Sequence, residues 1–309
     1  MMNKLEELLF LKNIPGYGNA SIRKMYLKEI EKLSGVDECA RLLHETDGKV
    51  SLQEIEISKS KTHELLEMIN RDHTIRAITV FDEAFPEQLN LLKNQAPLVL
   101  YARGDIDLLR KPSLAVIGTR KPSDWSIRVG EQMVKKTIEI SHRVVVSGLA
   151  LGCDAVGHKA AVENGGKTIA VLPSGINVIT PASNKGLADK ILDTGGCIIS
   201  EYQPMEKVQR VTYAKRDGII AALADATFVI ECGINSGTMI TVKDAYRMGK
   251  KIGCYMASED KGAYEGNAYM IKEYSAVPVT DTPQLISFLD SLNPKPKQEE
   301  FKQLSLFDS

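Results

Sequence analysis

The chain has no excess of positive charge: 39 Lys and Arg stand against 40 Asp and Glu, a formal net charge of −1 over 309 residues. That balance excludes a bulk polycation, so any grip on nucleic acid has to come from a local basic patch. Cysteine is scarce and scattered. Cys39, Cys153, Cys197, Cys232 and Cys254 form no Cys-x-x-Cys pair and have no histidines at zinc spacing, which points to reduced core thiols rather than disulfides or a metal site. No apolar run approaches the roughly 18 residues of a membrane span, and the N-terminus lacks a signal peptide's apolar stretch. A cytoplasmic protein with no membrane partner is the expectation. Two nucleotide motifs are missing as well. There is no Gly-x-x-x-x-Gly-Lys-Ser/Thr loop, and no Gly-x-Gly-x-x-Gly turn with a carboxylate ending the next strand. Neither NAD nor another cofactor is expected.

What is present is ordinary globular composition, 43% apolar and 26% charged, in a chain long enough for two domains. Residues 1–74 read as a helical N-terminal domain. Leu5, Leu8, Leu9 and Leu11 make an apolar face that ends at Asn13-Ile14-Pro15-Gly16-Tyr17-Gly18. A second helix is predicted over 21–33, and charged amphipathic helices over 37–44 and 52–70. The Ile-Pro-Gly-x-Gly turn resembles a SAM-like or helix-hairpin-helix hairpin. Two readings of it stay open: its amides touch a DNA phosphate, or its glycines only permit a tight turn.

Residues 75–290 read as an extended Rossmann-like domain. Strands are expected at 75–80 and 97–101, separated by the break at Phe85-Pro86. Short apolar runs at 114–117, 143–147, 167–172, 196–200, 226–230 and 251–255 then alternate with amphipathic stretches. That rhythm predicts an α/β fold with right-handed crossovers and a doubly wound, mainly parallel sheet. Ligands in such sheets bind beyond the carboxyl ends of the strands. Gly118, Gly148, Gly175 and Gly233 fall at those ends.

The candidate site follows from that placement. Gly118-Thr119-Arg120 turns the chain after a strand, where backbone amides and a helix N-terminus can meet a phosphate and Arg120 can add a charge-assisted bond. Lys121 and Arg128 extend the positive region. Gly148 lies in a second strand–turn–helix unit that continues through Asp154 and His158, four residues apart on one helix face. For Asp154 a carboxylate bonding backbone amides is favoured over a catalytic pair. Tyr213, Lys215 and Arg216, with Arg210 upstream, supply a ring for stacking and cations for phosphates, the parts of a single-strand binder. Ser236, Gly237 and Thr238 form a further candidate phosphate cradle. Phosphoribohydrolases with a related Gly-Gly-x-Gly-Thr-x-x-Glu run use the final glutamate, and here that place is Thr241.

Several separate motifs, in order, resemble the DNA-processing protein A (DprA, or Smf) family. They are Val116-Ile117-Gly118-Thr119-Arg120-Lys121-Pro122-Ser123, then 147–158, Gly166-Lys167-Thr168-Ile169-Ala170-Val171-Leu172, Ile199-Ser200-Glu201-Tyr202, Lys215-Arg216 and Ser236-Gly237-Thr238-x-Ile240-Thr241. Upstream, Phe85-Pro86 and the run from Pro97 to Gly104 fit the same pattern. The resemblance implies a non-enzymatic single-stranded DNA-binding protein, usually a homodimer, that protects DNA in natural transformation and passes it to a RecA-type recombinase. It carries a DNA-binding role onto Gly118, Thr119, Arg120, Lys215 and Arg216, with Tyr213 where the family usually has phenylalanine. There are departures. The family commonly reads Arg-Asn-Arg where this chain has Arg216-Asp217-Gly218, and the Pro-Gly after the next strand is replaced around Met256-Ala257. The rival readings are a nucleotide or nucleoside hydrolase using Glu201 or Glu231, and a nucleotide-sensing protein, either of them in a mobile-element or defence system.

Residues 291–309 are polar and proline-bearing and are expected to form a disordered tail. Its Gln303-Leu304-Ser305-Leu306-Phe307 resembles the peptide that docks into the DNA polymerase sliding clamp.

Overall fold

A computed structural model describes residues 4–46, 50–257 and 264–293. The clamp-like peptide at 303–307 lies outside them.

The chain opens with helices α1 (Leu5–Asn13), α2 (Asn19–Met25), α3 (Leu27–Ile30), α4 (Val36–Thr46) and α5 (Leu52–Arg71). The single helix expected over 21–33 is instead two short pieces. Tyr26 between them leaves helical geometry at φ −125° and ψ −15° and buries its ring. The start of α5 is a capping box in which Ser51 Oγ accepts from Glu54 N and the Glu54 carboxylate accepts from Ser51 N. At the hairpin between α1 and α2, Gly16 has φ +83°, which a side chain would resist, whereas Gly18 is extended.

Antiparallel strands β1 (Arg76–Thr79) and β2 (Val99–Gly104) lead into the alternating region. There β3 (Ser113–Ile117), α6 (Asp124–Ser141), β4 (Val144–Ser147), α7 (Cys153–Glu163), β5 (Thr168–Val171), α8 (Lys185–Asp193) and β6 (Cys197–Ser200) follow in turn. Next come α9 (Arg210–Leu223), β7 (Ala226–Val229), α10 (Thr238–Arg247), β8 (Lys251–Tyr255), α11 (Glu265–Tyr274), β9 (Val277–Val279) and α12 (Thr282–Asp290). Among the described residues the strands form one nine-stranded sheet, ordered β1-β2-β6-β5-β4-β3-β7-β8-β9. From β6 to β9 every pairing is parallel, while β1–β2 and β2–β6 are antiparallel. This is the doubly wound, mainly parallel α/β fold that the alternation predicts.

The strand sequences explain the layering. Every residue of β3 to β7 is buried, as a sheet covered on both faces requires. Val116, Val145 and Phe228 pack with Val134, Val156 and Phe288 from α6, α7 and α12. Ala115, Val146 and Val229 pack on the opposite side with α9, α10 and α11. Leu8, Leu9 and Leu11 of α1 share a cluster with Val99, Tyr101 and Ile198, so the N-terminal helices cover one face of β2 and β6. Each such fully buried side chain contributes about 1.5–3 kcal/mol. The edge strand β9 is only Val277-Pro278-Val279, and its proline, tolerated at an edge, hides it from a pattern search.

Winding leaves β3 and α6 on one side and β7 and α10 on the other. The chain order therefore reverses between β3 and β7, and a crevice opens beyond their carboxyl ends.

Candidate nucleic-acid interface

That crevice is a cleft of about 360 Å³ lined by Gly118, Thr119, Arg120, Ser236, Gly237, Thr238 and Thr241, with Asp154, Arg216 and Asp217 on its wall. Two turns that lie more than a hundred residues apart thus meet because their strands are neighbours in the sheet. The Gly118 turn is compressed: a Cβ there would come within 2.5 Å of Cys153 Sγ and 2.8 Å of the Glu231 carbonyl oxygen. Gly152, at φ +78°, lets α7 begin against the Thr119 carbonyl. The Thr119 amide donates to the Glu231 carbonyl at 2.7 Å, which ties the two turns together.

Anion-holding capacity lies at the start of α10. No side chain caps that helix. The amides of Met239 and Ile240 bond back to Ser236 and Gly237, while those of Gly237 and Thr238 have no backbone acceptor among the described residues. They point positive partial charge into the cleft. Arg120 is exposed at the rim, and its Cζ lies 5.1 Å from the centroid of the Tyr213 ring. One face of Tyr213 is therefore already covered by a guanidinium, and the ring lies in an adjoining cavity, so Arg120 and Tyr213 form a stacked pair at the edge of the cleft.

Three residues expected to touch DNA sit differently from that expectation. Gly148 is buried outside the cleft lining. Its N–H donates to Asp154 Oδ2 at 3.1 Å, and a Cβ on it would overlap Arg216 Nη1. Its role is to let a guanidinium lie flat on the turn. Arg216 lines the cleft, but its side chain is 5% exposed, with Nη1 3.4 Å from Asp154 Oδ2 and Nε 3.2 Å from Asp217 Oδ1. Its charge is already balanced by two carboxylates, so it is not the free cation the sequence suggested. Lys215 is exposed, yet it faces the neighbouring groove of α9 rather than this cleft. Lys121 is exposed just beyond the rim, its amide donating to Thr119 Oγ1 at 3.3 Å.

Asp154 plays the supporting part favoured for it, accepting from the amides of Gly148 and Ala150. His158 is fully buried. Its Nε2 accepts from Leu149 N and its Nδ1 lies 2.6 Å from Thr168 Oγ1. Burial, with Arg216 adding repulsion, pushes its pKa down to about 3, so the ring is neutral. The amides of the Gly148 turn are thus spent internally. Glu231 is held by Ser123 N and Oγ at 3.0 and 2.9 Å, and Glu201 accepts from Asn19 Nδ2 at 3.1 Å.

Sequence reasoning passed over Asp217 as a site residue. It lines the cleft, and desolvation raises its pKa to about 6. Arg216 and Arg120 pull the value down, while Asp154 and Asp244 push it up. Its position one residue after Arg216 was the available signal. Among the described residues no cluster of metal-ligating side chains occurs, and no helix is long and apolar enough to cross a membrane.

Comparison with known proteins meets this geometry from outside. The family model for DNA recombination-mediator protein A matches residues 76–290. DNA processing protein DprA of Streptococcus pneumoniae is 35% identical over 199 residues, 64% of this chain and 68% of the relative. Protein Smf of Escherichia coli is 31% identical over 207 residues, 67% of this chain but 54% of its own length. The crystal structure of the pneumococcal protein superposes with a TM-score of 0.76 at 28% identity, over 93% of this chain and 98% of that one. DNA processing protein A of Helicobacter pylori, described for its single-stranded DNA binding mode, shares the fold at a TM-score of 0.62 and 24% identity, over 70% and 96% of the two chains.

Proposed function

This chain belongs to the DNA recombination-mediator protein A family, and from that premise we propose that it binds single-stranded DNA at the β3–β7 crevice and processes it without cutting. The observation that carries the reading is the placement of Arg120, which lines the cleft with the uncapped start of α10 and stacks, just outside it, on Tyr213. The helix start and Arg120 receive a phosphate, and the guanidinium–ring pair gives a base a flat surface. Lys121, Lys207, Arg210 and Lys215, all exposed, add diffuse positive charge around it. Few phosphates are neutralised, so affinity falls with salt at a modest slope.

The absence of catalysis is part of the proposal. Asp154, Glu201 and Glu231 all have hydrogen-bond donors of their own, and Thr241 stands where a hydrolytic glutamate would be needed. Asp217 is the one cleft carboxylate that favours the hydrolase reading. Incubation with nucleoside monophosphates and NAD, followed by chromatography, decides it: intact substrates support a binder, and released base supports the hydrolase. By the same family reasoning we assign the protein to a homodimer in the cytoplasm that hands DNA to a RecA-type recombinase in uptake and recombination. The peptide at 303–307 adds docking to the polymerase sliding clamp. The direct test of the site is binding of a labelled oligonucleotide by wild type and by Arg120→Ala. A loss of about tenfold, the size of one stacked base, supports it, and equal affinity removes it.

A further inference from the structure

A second cleft, of about 240 Å³, lies on the other side of α9 from the first. Asp217 and Ile220 of α9 face the strand-end crevice, whereas Ala214, Lys215 and Gly218 face this one. Its other walls are the kinked 3₁₀ segment Glu87–Gln95 and the C-terminal end of α10. The floor is apolar, made by Leu92 and Met248, and the rim carries Lys93, Lys215 and Arg247. All three cations are exposed. Lys93 and Lys215 have no ion pair among the described residues, and Arg247 reaches only Asp244, at 3.3 Å.

Two features mark the cleft as built rather than incidental. Lys93 sits at φ 55° and ψ −124°, a conformation suited to glycine, so the backbone carries strain that places a lysine at this rim. Gly218 opens the floor from inside a helix: a Cβ there would stand 3.2 Å from Leu92 Cδ2 and 3.6 Å from Asp244 Oδ2. Any longer side chain at 218 would project into the cleft.

We propose that this cleft is a second nucleotide subsite, in which a base lies on the Leu92–Met248 floor and its flanking phosphates meet Lys93, Lys215 and Arg247. The chemistry is that of a single-strand groove: a flat apolar surface, converging cations, and Asp244 as an acceptor for a base N–H. Lys215 and Asp217, two residues apart on α9, face the second cleft and the crevice respectively, so one strand crossing α9 occupies both. The inference rests on the crevice reading and extends it by the width of one helix, about 10 Å.

The test compares oligonucleotides of about 4 and about 16 nucleotides, spanning usual single-strand site sizes, with wild type, Lys93→Gly, Gly218→Leu and Arg120→Ala. Lys93→Gly removes the charge while relieving the backbone, so its fold is not in question. The expected result is a loss of about five- to tenfold on the long strand only, for both cleft variants, with the short strand bound as by wild type. Lys93→Gly binding both lengths like wild type, while Arg120→Ala loses both, overturns the second subsite and leaves the crevice intact. Wild type binding neither length overturns the crevice itself. Should Gly218→Leu melt early, Lys93→Gly alone decides.

Discussion

The Arg216 guanidinium lies flat on Gly148, where a Cβ would overlap its Nη1, and both are held by the Asp154 carboxylate, at 3.4 Å and 3.1 Å respectively. This arrangement couples the turn after β4 to α9 through a buried ion pair. Removing one partner of such a pair typically costs about 3–5 kcal/mol, because the remaining charge stays buried. Asp154→Ala is therefore expected to lower stability by about that amount in urea unfolding, and Gly148→Ala to lower it by displacing the arginine. A Gly148→Ala protein as stable as wild type would show that the stacking has no structural consequence.

Asp217 brings negative charge into the cleft proposed to receive phosphates, and desolvation raises its pKa to about 6. Between pH 7 and pH 5 it takes up a proton, so affinity for single-stranded DNA is expected to rise as pH falls. Asp217→Asn should bind more tightly at pH 7 and show a flatter profile. Fluorescence anisotropy at several pH values checks this. Identical profiles for the two proteins would remove Asp217 from the interface.

The same carboxyl has a signed effect on folding. Its folded pKa lies above the usual Asp value of 3.8, so the native state binds more protons between roughly pH 4 and pH 6, and its contribution weakens stability as pH rises through that window. His158 acts the other way. With a folded pKa of about 3 against an ordinary 6.5, its neutral form favours folding at neutral pH, and that gain is lost as pH falls from about 6.5 towards 3. Asp217→Asn removes the opposing contribution, so this variant should lose stability more steeply on acidification than wild type. Thermal melts at pH 7 and pH 5 read the difference.

Much of this was legible in the chain and some was not, for physical reasons. β3 to β8 announce themselves as short β-branched runs because both faces of the sheet are buried, and the alternation fixes where ligands gather. Gly118, Arg120 and Thr238 stand out because they follow strands in such a fold, and the structure brings them together in one cleft. Arg216 misled, since a cation beside a helix start reads as exposed, and only the sheet order brings Asp154 close enough to balance it. Gly148 misled similarly: a glycine that admits a side chain and one that admits a phosphate look alike in sequence. Lys93 and Leu92 gave no signal, because their segment meets α9 and α10 only in three dimensions.

The Arg120–Tyr213 pair makes a further distinction. An exposed cation–π contact contributes only about 0.5–1 kcal/mol, so Tyr213→Ala should barely shift the melting temperature. Its DNA affinity should nevertheless drop by about tenfold, as the loss of one stacked base implies. Tyr213→Phe, which keeps the ring, should bind like wild type. A Phe variant as weak as the Ala variant would assign the contact to the hydroxyl instead.

The central claim is that a few cations and helix-start amides at the sheet's carboxyl edge hold phosphates of an unpaired strand. The dependence of oligonucleotide affinity on salt, measured for wild type and Arg120→Ala, tests it most directly. Each lost phosphate contact reduces the log–log slope by about 0.7 for single strands, so this variant should bind more weakly with a slope shallower by about that amount. Equal affinities and parallel slopes would contradict the account.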